Sequence, residues 1–225
     1  MKHIIVWIMA IAVAGTVAHA QEQMPALRQG ISVQMATTSS AHAFPEADNQ
    51  DAWIVAITAE GRLFFGVKPV TLESLLEAMK ATPRRRDQSL YVKADGRTSF
   101  GNIEKVLGAA KIDWFESAVL LTNQNEGQRP GTLVTPKGLE VVLGAAPSDS
   151  ILVRVRSTGQ PSPAVTVNDQ EVSLSDLQTM LNRALQNRST RVIRLQADDG
   201  LGFAQVAQVI DACNSVKAKV SISAE

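Results

Sequence analysis

Hydrophobic residues occur along this chain in two kinds of pattern, short continuous runs and longer segments with helical spacing. Residues 53–57 and 119–121 are continuous apolar runs of strand length, whereas residues 100–110 and 203–213 repeat apolar side chains at the spacing of one helix face. Thr71 is a suitable helix N-cap, and Pro83 cannot continue the helix that follows it. The pattern therefore predicts strands alternating with helices in an α+β fold.

The predicted elements occur in the same order twice. In the first half, a strand at 53–59 turns at Glu60-Gly61 into a strand at 62–65, helices begin at Thr71 and Ser99, and further strands lie at 89–93 and 117–122. In the second half, strands lie at 151–156, 165–168, 191–196 and 218–223, with helices at 173–187 and 202–214. Each half is expected to be a small sheet with two helices in the order β-β-α-β-α-β.

The two halves also align residue by residue. An offset of 103 positions superposes Asp95 on Asp198 and Phe100 on Phe203, and it carries the apolar face of one helix onto that of the other. Such self-similarity indicates a duplicated module. Two early stretches align as well, and both are predicted to be strands, residues 30–35 and 138–143.

Loop-forming residues give the expected domain boundaries. Residues 123–131 are polar and interrupted by Gly and Pro, so they are expected to link a first module at 21–122 to a second module at 132–225. Residues 37–50 contain several Ser and Ala residues together with Pro45 and Asp48, and they are expected to form a mobile loop.

The early stretches are also expected to be edge strands. Residues 31–35 and 139–143 are each separated from the main sheet by a loop, so they can pair locally or across the two copies. One hypothesis is that such an edge captures an extended peptide through its backbone. The other is that both strands are permanently paired inside the fold.

The N-terminus has the features of a secretory signal. Lys2 precedes an apolar run of 15 residues from Ile4 to Ala18, and Ala18-His19-Ala20 has the pattern of a cleavage site. Since a helix that spans the hydrocarbon core needs about 20 apolar residues, residues 1–20 are expected to be removed before Gln21. An uncleaved N-terminal anchor is the alternative.

Composition excludes several functional classes. Lys plus Arg and Asp plus Glu both total 22, so bulk charge does not favour nucleic acid as a partner. Cys213 is the single cysteine, which excludes an internal disulfide framework and a CxxC motif. Sequence motifs of serine hydrolases, zinc proteases, P-loop proteins and Rossmann proteins do not occur. A binding protein is expected rather than an enzyme, with no catalytic, cofactor or metal site.

Asp95 and Asp198 are the candidates for acid/base chemistry. Each lies just before the second helix of its copy, where a carboxylate accepts backbone N–H bonds and favours the helix N-terminus. Neither motif contains a second carboxylate, so the structural role is favoured. His42 lies in a Ser/Ala/Pro segment, and it is expected to be exposed and non-catalytic.

Three further features are also interpreted structurally. Arg84-Arg85-Arg86 could bind an anionic surface, but the run is short and Asp87 follows it, so a solvated loop is expected. Phe100 and Phe203 could stack on a ligand, but each begins an apolar helix face and is expected in the core. Cys213 continues such a face and is expected to be buried and unreactive.

The order of these motifs resembles the ExbD/TolR family of biopolymer transport proteins. The segments that carry the resemblance are the hairpin IVAITAEG at 54–61, the helix start Val70-Thr71-Leu72, and LYVKADGRTSFGNIEKVL at 90–107. The order occurs in both copies and covers nearly all of the chain after the expected signal. The resemblance implies periplasmic domains that dimerise, so the two copies are expected to pack as a pseudo-twofold pair.

The resemblance also implies a role in a TonB/Tol-type energised envelope system. Family members usually have a membrane helix with an Asp that takes part in proton-driven motor function, whereas residues 1–20 contain no Asp or Glu. The expected role is a periplasmic accessory protein that binds TonB/TolA-like or ExbB/TolQ-like motor components or peptidoglycan. One alternative is a structural module that pairs with itself or with an anchored ExbD-like subunit. Another is an ExbD-type subunit anchored in the inner membrane.

Overall fold

The computed structural model describes residues 29–83, 88–112, 115–124 and 134–222. The helices in these ranges are α1 (Leu72–Ala81), α2 (Phe100–Ile112), α3 (Leu174–Leu185) and α4 (Phe203–Ser215). The strands up to residue 124, the first repeat, are β1 (Thr37–Thr38), β2 (His42–Ala43), β3 (Trp53–Ile57), β4 (Leu63–Phe65), β5 (Lys68–Val70), β6 (Leu90–Ala94) and β7 (Ser117–Gln124). The strands from residue 134 onward, the second repeat, are β8 (Lys137–Val142), β9 (Ile151–Arg156), β10 (Ala164–Val167), β11 (Gln170–Val172), β12 (Val192–Ala197) and β13 (Lys219–Ile222).

Local sequence signals account for the ends of the helices. The Thr71 hydroxyl accepts a hydrogen bond from the Ser74 backbone N–H at 3.2 Å, and Ser173 accepts one from the Asp176 N–H at 3.2 Å. These N-caps satisfy donors that a helix start leaves unpaired. Helix α1 ends before Pro83, as predicted, because proline removes a donor and clashes with the preceding turn.

The strands form one continuous sheet that runs through both repeats. Its order is β11-β10-β9-β12-β13-β8-β7-β6-β3-β4-β5. In each repeat three strands are parallel, namely β3, β6 and β7 or β9, β12 and β13, and an antiparallel hairpin extends the outer side. Each hairpin has one strand more than predicted, β5 or β11. The α+β class and the tandem repeat are confirmed.

All four helices of the described ranges pack on the same face of the sheet. Alternate strand residues such as Val55, Val92 and Val153 point into this layer and are fully buried with residues of the helices. One hydrophobic core therefore extends across both repeats. A smaller cluster lies on the opposite face of the first repeat, where Ile54, Tyr91, Val119 and Leu121 pack beneath residues between 33 and 52.

The early strand of the second repeat lies at the centre of the sheet, which corrects the expectation of an edge strand at 139–143. Strand β8 pairs antiparallel with β7 over its whole length and parallel with β13 through Val141 and Val142. Because a neighbour lies on each side, this stretch offers no edge for an incoming peptide. Gly138 permits the close approach of β7, since a Cβ atom there would lie 2.5 Å from Val119 Cγ1.

The early stretch of the first repeat follows a different path, which corrects two further expectations. Residues 31–34 form no strand, and Met35 makes a single β-bridge with Asp95. The segment 37–50 is not a simple loop, because β1 pairs with the end of β7, β2 pairs with the start of β8, and a 3-10 helix follows. We call residues 34–41, which cross from β6 and β7 to helix α4, the strap.

Several predicted segments lie partly or wholly outside the described residues. Strand β7 runs through Asn123 and Gln124, the first two positions of the expected linker, and the remaining linker residues are outside the described ranges. The expected signal at 1–20 and the run Arg84-Arg85-Arg86 are also outside them. Among the residues that are described, no helix has the length and apolar character needed to cross a membrane.

Candidate interaction site

The two repeats meet at a pair of equivalent loops, residues 95–100 and 198–203, which we call the central loops. Ser99 and Gly202 form an antiparallel bridge between them. Four backbone hydrogen bonds flank this bridge, and they form two equivalent pairs. In the first pair, the Phe100 N–H donates to the Leu201 carbonyl (2.7 Å) and the Phe203 N–H donates to the Thr98 carbonyl (2.8 Å). In the second pair, the Gly101 N–H donates to the Asp199 carbonyl (3.0 Å) and the Ala204 N–H donates to the Gly96 carbonyl (2.8 Å). Within each pair, the offset of 103 positions relates the donor of one bond to the donor of the other, and likewise the two acceptors. A pseudo-twofold axis therefore passes through the bridge, as predicted.

Asp95 joins its central loop to the strap. Its side chain is buried, and its carboxylate accepts backbone N–H bonds from Gln34 at 3.2 Å and Arg97 at 3.0 Å. The Arg97 guanidinium binds the two carboxylate oxygens at 2.8 and 2.9 Å. Hydrogen bonding from Arg97 lowers the pKa of Asp95 below its ordinary value, although burial opposes this shift.

Asp198 has fewer contacts at the equivalent position. It is exposed, and its carboxylate accepts the Ser157 backbone N–H at 2.8 Å. Both acids thus accept backbone N–H bonds, as the structural interpretation predicts. The donors belong to the strap, to the central loop of Asp95 itself and to the loop at Ser157, rather than to the first turn of the following helix, which the sequence interpretation had not anticipated.

The strap lies in a groove between helix α4 and the end of strand β6, which we call the α4 groove. Its backbone is fixed by the Gly96 N–H, which donates to the Gln34 carbonyl, and by the Asn123 N–H, which donates to the Ala36 carbonyl, both at 2.8 Å. The Ala36 side chain packs into the main core. Backbone bonds on the sheet side therefore hold an extended segment in this groove.

Asp211 of α4 holds the other side of the strap. Its carboxylate accepts the Ser39 and Ser40 backbone N–H groups at 2.8 Å each, and the Ser40 hydroxyl at 2.5 Å. The Ser40 hydroxyl also lies 2.8 Å from the Asp211 carbonyl. Hydrogen bonds to a charged acceptor are stronger than those between neutral groups, so Asp211 is the main polar contact of the strap on this helix.

The pseudo-twofold axis relates the α4 groove to a second cavity, which we call the α2 groove. It has a volume of about 790 Å³ and lies between α1, α2 and the end of β12. Its apolar walls come from three elements, with Leu72 and Leu76 on α1, Ala109 and Ile112 on α2, and Leu195 and Ala197 on β12. Gly108 lines it at the position equivalent to Asp211.

On the opposite face of the sheet, the first repeat buries a lysine. Lys93 is 2% exposed, and its ammonium group donates to the Gln29 carbonyl at 3.0 Å. Burial lowers the pKa of Lys93, while the charge of Asp48 opposes that shift. Tyr91 lies on the same face, and burial raises the pKa of its phenol. The covering residues close this face to partners.

The equivalent face of the second repeat is polar and partly exposed. Arg194 stands where the first repeat has Tyr91, and Gln196 stands where it has the buried lysine. Arg154 forms an ion pair with Asp169 on this side of the sheet. The Arg194 Nε atom is buried and has no hydrogen-bond partner among the described residues. The two repeats therefore present different surfaces on this face.

The remaining predicted residues can be placed individually. Phe100 and Phe203 are fully buried in the main core, as predicted. Cys213 is also fully buried, and burial raises the pKa of its thiol to about 12, which disfavours the reactive thiolate. His42 is exposed as predicted, although it belongs to strand β2 rather than to a loop.

Sequence reasoning missed Lys93, Asp211 and Gly108. A signal for Lys93 was present, because it is the one charged residue in a strand that is otherwise apolar on both faces. Asp211 and Gly108 have no comparable signal, since an acid or a glycine on one face of a helix is common. Their roles depend on the strap, whose path is set by long-range pairing.

Comparison with known proteins agrees with the repeat structure. The model of the family described as Biopolymer transport protein ExbD/TolR matches residues 4–125 and, separately, residues 131–225. No curated protein shows a significant match to the chain. The central loops, the strap and both grooves lie within the matched ranges. Within the parts of the chain that the structure describes, no cluster of His, Cys, Asp and Glu side chains could hold a metal ion.

Proposed function

The chain belongs to the ExbD/TolR family of biopolymer transport proteins, and we propose that it is a periplasmic accessory protein of a TonB/Tol-type energised envelope transport system. It acts by binding protein or peptidoglycan. The partners are TonB/TolA-like or ExbB/TolQ-like motor components or the peptidoglycan itself. The family places the chain in biopolymer transport, and the more specific role is our inference.

The observation that carries the proposal is the tandem family match together with the pseudo-twofold contact of the central loops. Two family units that would otherwise belong to separate chains are held in one sheet by β8 and by paired backbone bonds. The apolar run from Ile4 to Ala18 contains no Asp or Glu. A fused pair that binds partners, without a proton-carrying acid in that run, accounts for both features.

Binding experiments with the full chain test this proposal. The tagged chain is incubated with the periplasmic segment of a TonB-like protein, with a detergent-solubilised ExbB-like subunit, and with purified peptidoglycan sacculi. We expect specific retention of at least one of them, relative to an unrelated periplasmic protein carrying the same tag. Retention no greater than that of the unrelated protein in all three assays would contradict the proposal.

Localisation is tested separately. The proposed division is a signal at 1–20, a first module at 21–122, a linker at 123–131 and a second module at 132–225. We expect N-terminal sequencing of material from the periplasmic fraction to begin at Gln21. Recovery of intact Met1 in the inner membrane fraction would favour the anchored ExbD-type alternative instead.

A structural role is a second candidate, favoured by the ends of the sheet. Strands β5 and β11 are the outer strands of the sheet order, and an outer strand can pair with another chain. Single cysteines in place of Lys68 and Glu171 would report such pairing, because Cys213 is buried. Concentration-dependent dimers cross-linked between these positions would support edge-to-edge assembly, and a monomer in analytical ultracentrifugation would argue against it.

A further inference from the structure

The filled α4 groove shows what kind of ligand this architecture holds. Its occupant, the strap, is an extended backbone that receives two hydrogen bonds on the sheet side, from Gly96 and Asn123, and donates to Asp211 on the helix side. The strap has small side chains in this region, and Ala36 enters the core. The groove thus recognises an extended polypeptide with small residues that can approach the helix closely.

The α2 groove is lined by the equivalent elements α2 and β12, and none of the residues that the structure describes occupies it as the strap occupies the α4 groove. Ala94, at the end of β6 beside the strap, is fully buried, whereas the equivalent Ala197 in the α2 groove is partly exposed. Ile112 also lines this groove and is 59% exposed. A concave cavity with apolar side chains on three walls is typical of a binding groove.

The two grooves differ in polarity at the helix. The α4 groove has the Asp211 carboxylate, while the α2 groove has Gly108 at that position, which supplies no side-chain acceptor. On the other wall, the apolar Leu76 of α1 stands where α3 has Gln178. Charged side chains also line the α2 groove, namely Glu104, Lys105, Lys111 and Asp199. At the position equivalent to Asp211, however, the groove has no carboxylate, so apolar side chains suit that position better than the hydroxyl groups of Ser39 and Ser40.

We propose that the α2 groove binds an extended segment of another polypeptide, which lies along helix α2 as the strap lies along α4. The segment carries apolar side chains at the positions that correspond to Ser39 and Ser40. The inference rests on the proposed function in that it gives protein binding a location in the molecule. The observation that carries it is the occupation of the equivalent groove by the chain's own residues.

Two synthetic peptides test the inference without knowledge of the natural partner. One has the sequence of residues 33–42 of this chain, and the other has the same sequence with leucine at positions 39 and 40. Binding of each labelled peptide to the purified full chain is measured by fluorescence anisotropy. We expect saturable binding with a preference for the leucine peptide, and an absence of saturable binding for both peptides would overturn the inference.

A substitution that fills the groove locates the binding site. Gly108→Arg places a long side chain in the α2 groove, so we expect the affinity for the peptide to fall tenfold or more. Because arginine has a higher helix propensity than glycine, we expect no fall in melting temperature. Asn182→Arg is the control, because it adds the same group to an exposed position of α3 whose counterpart, Lys80, does not line the α2 groove. Equal affinities of the peptide for wild type and Gly108→Arg would overturn the inference, because they would mean that the peptide binds elsewhere. A peptide that displaces the strap from the α4 groove would give this result.

A second substitution tests the equivalence of the two grooves. Gly108→Asp supplies the carboxylate that Asp211 provides in the α4 groove. We expect the peptide with Ser39 and Ser40 to gain roughly tenfold in affinity relative to the leucine peptide, because both peptides have the backbone donors but only the serine hydroxyls can also donate to the new carboxylate. An unchanged preference would contradict the equivalence from which the ligand class is inferred.

The outcome is separable from that of the proposed function. If the TonB-like or ExbB-like partner is retained equally by wild type and by Gly108→Arg, the protein-binding role stands and the α2 groove is not its site. If the leucine peptide binds in the groove while no envelope partner is retained, the groove inference stands and the proposed function fails.

Discussion

In the first repeat, Ile54, Tyr91 and Lys93 lie beneath residues between 29 and 52, whereas the equivalent Leu152, Arg194 and Gln196 of the second repeat are partly or fully exposed. The strands carry the same order and pairing in both repeats. The burial of the sheet face opposite the helices therefore depends on whether another segment covers it, because only the other face contacts the helix layer in both repeats.

The helix surfaces also differ between the repeats in whether they are covered, but here the covered surface belongs to the second repeat. Helix α4 of the second repeat is covered by the strap through Asp211, while α2 of the first repeat faces the α2 groove through Gly108. One segment of chain, residues 29–52, thus closes a sheet face of the first repeat and a helix groove beside the second. Within the part of the chain that the structure describes, no segment covers the equivalents of these two surfaces in the same way.

Side-chain truncation on the sheet face opposite the helices should give the largest difference between the repeats in the free energy of unfolding. Ile54→Ala removes a fully buried side chain, and we expect a loss of about 3 kcal/mol in the free energy of unfolding. The matched Leu152→Ala alters a half-buried side chain of the uncovered face, so its loss should be about 1 kcal/mol or less. Urea denaturation measures both, and equal losses would contradict the contrast between covered and open faces.

Removal of the strap anchor should have the next largest effect. Asp211→Ala leaves the Ser39 and Ser40 donors without their charged acceptor, and we expect a loss of about 2 kcal/mol together with faster hydrogen exchange in residues 37–41. The control is Gly108→Asp in the other groove, where stability should change by about 0.5 kcal/mol or less. Unchanged exchange in the strap of Asp211→Ala would show that the sheet-side bonds suffice.

The central loops allow a comparison that depends on pH. Asp95→Asn weakens a buried acceptor of several bonds and should cost about 1 to 2 kcal/mol, whereas Asp198→Asn, at an exposed position, should cost less. The pKa of Asp95 in the folded state lies below its ordinary value of 3.8, so its ionic contribution is present above that pH. It is lost as the pH falls through the lowered pKa.

Acid titrations of unfolding check this prediction. The stability difference between wild type and Asp95→Asn should narrow as the pH falls below about 3.8. A constant difference throughout the acid range would show that the interaction does not depend on ionisation of Asp95.

Replacement of the buried lysine should have the smallest effect. The pKa of Lys93 is lowered in the folded state, so burial of its charged form destabilises the fold until the side chain is neutral. The stability of wild type relative to Lys93→Met should therefore rise as the pH increases toward the ordinary lysine value of 10.5. Gln196→Met is the matched control and should show no such dependence, while parallel pH profiles of wild type and Lys93→Met would contradict the prediction.

Local pattern determined much of the architecture. Helical spacing predicted helices α1 to α4 and the burial of Phe100 and Phe203, because one face of an amphipathic helix must contact the core. N-caps and proline set helix ends within a few residues. The offset of 103 revealed the duplication and, with the family resemblance, the pseudo-twofold arrangement. These features depend on neighbouring residues or on comparison of the sequence with itself.

Tertiary structure alone decided the fate of the two early stretches. Residues 31–35 and 139–143 have similar apolar patterns, yet only the second forms a full strand, β8, between β7 and β13. Strands β7 and β13 are equivalent under the pseudo-twofold axis, and the space between them is the width of one strand. Only one of the two equivalent early stretches can therefore pair there. The first stretch is therefore excluded from the sheet centre and leads into the strap, which fills the α4 groove, whereas no described residue fills the α2 groove in this way.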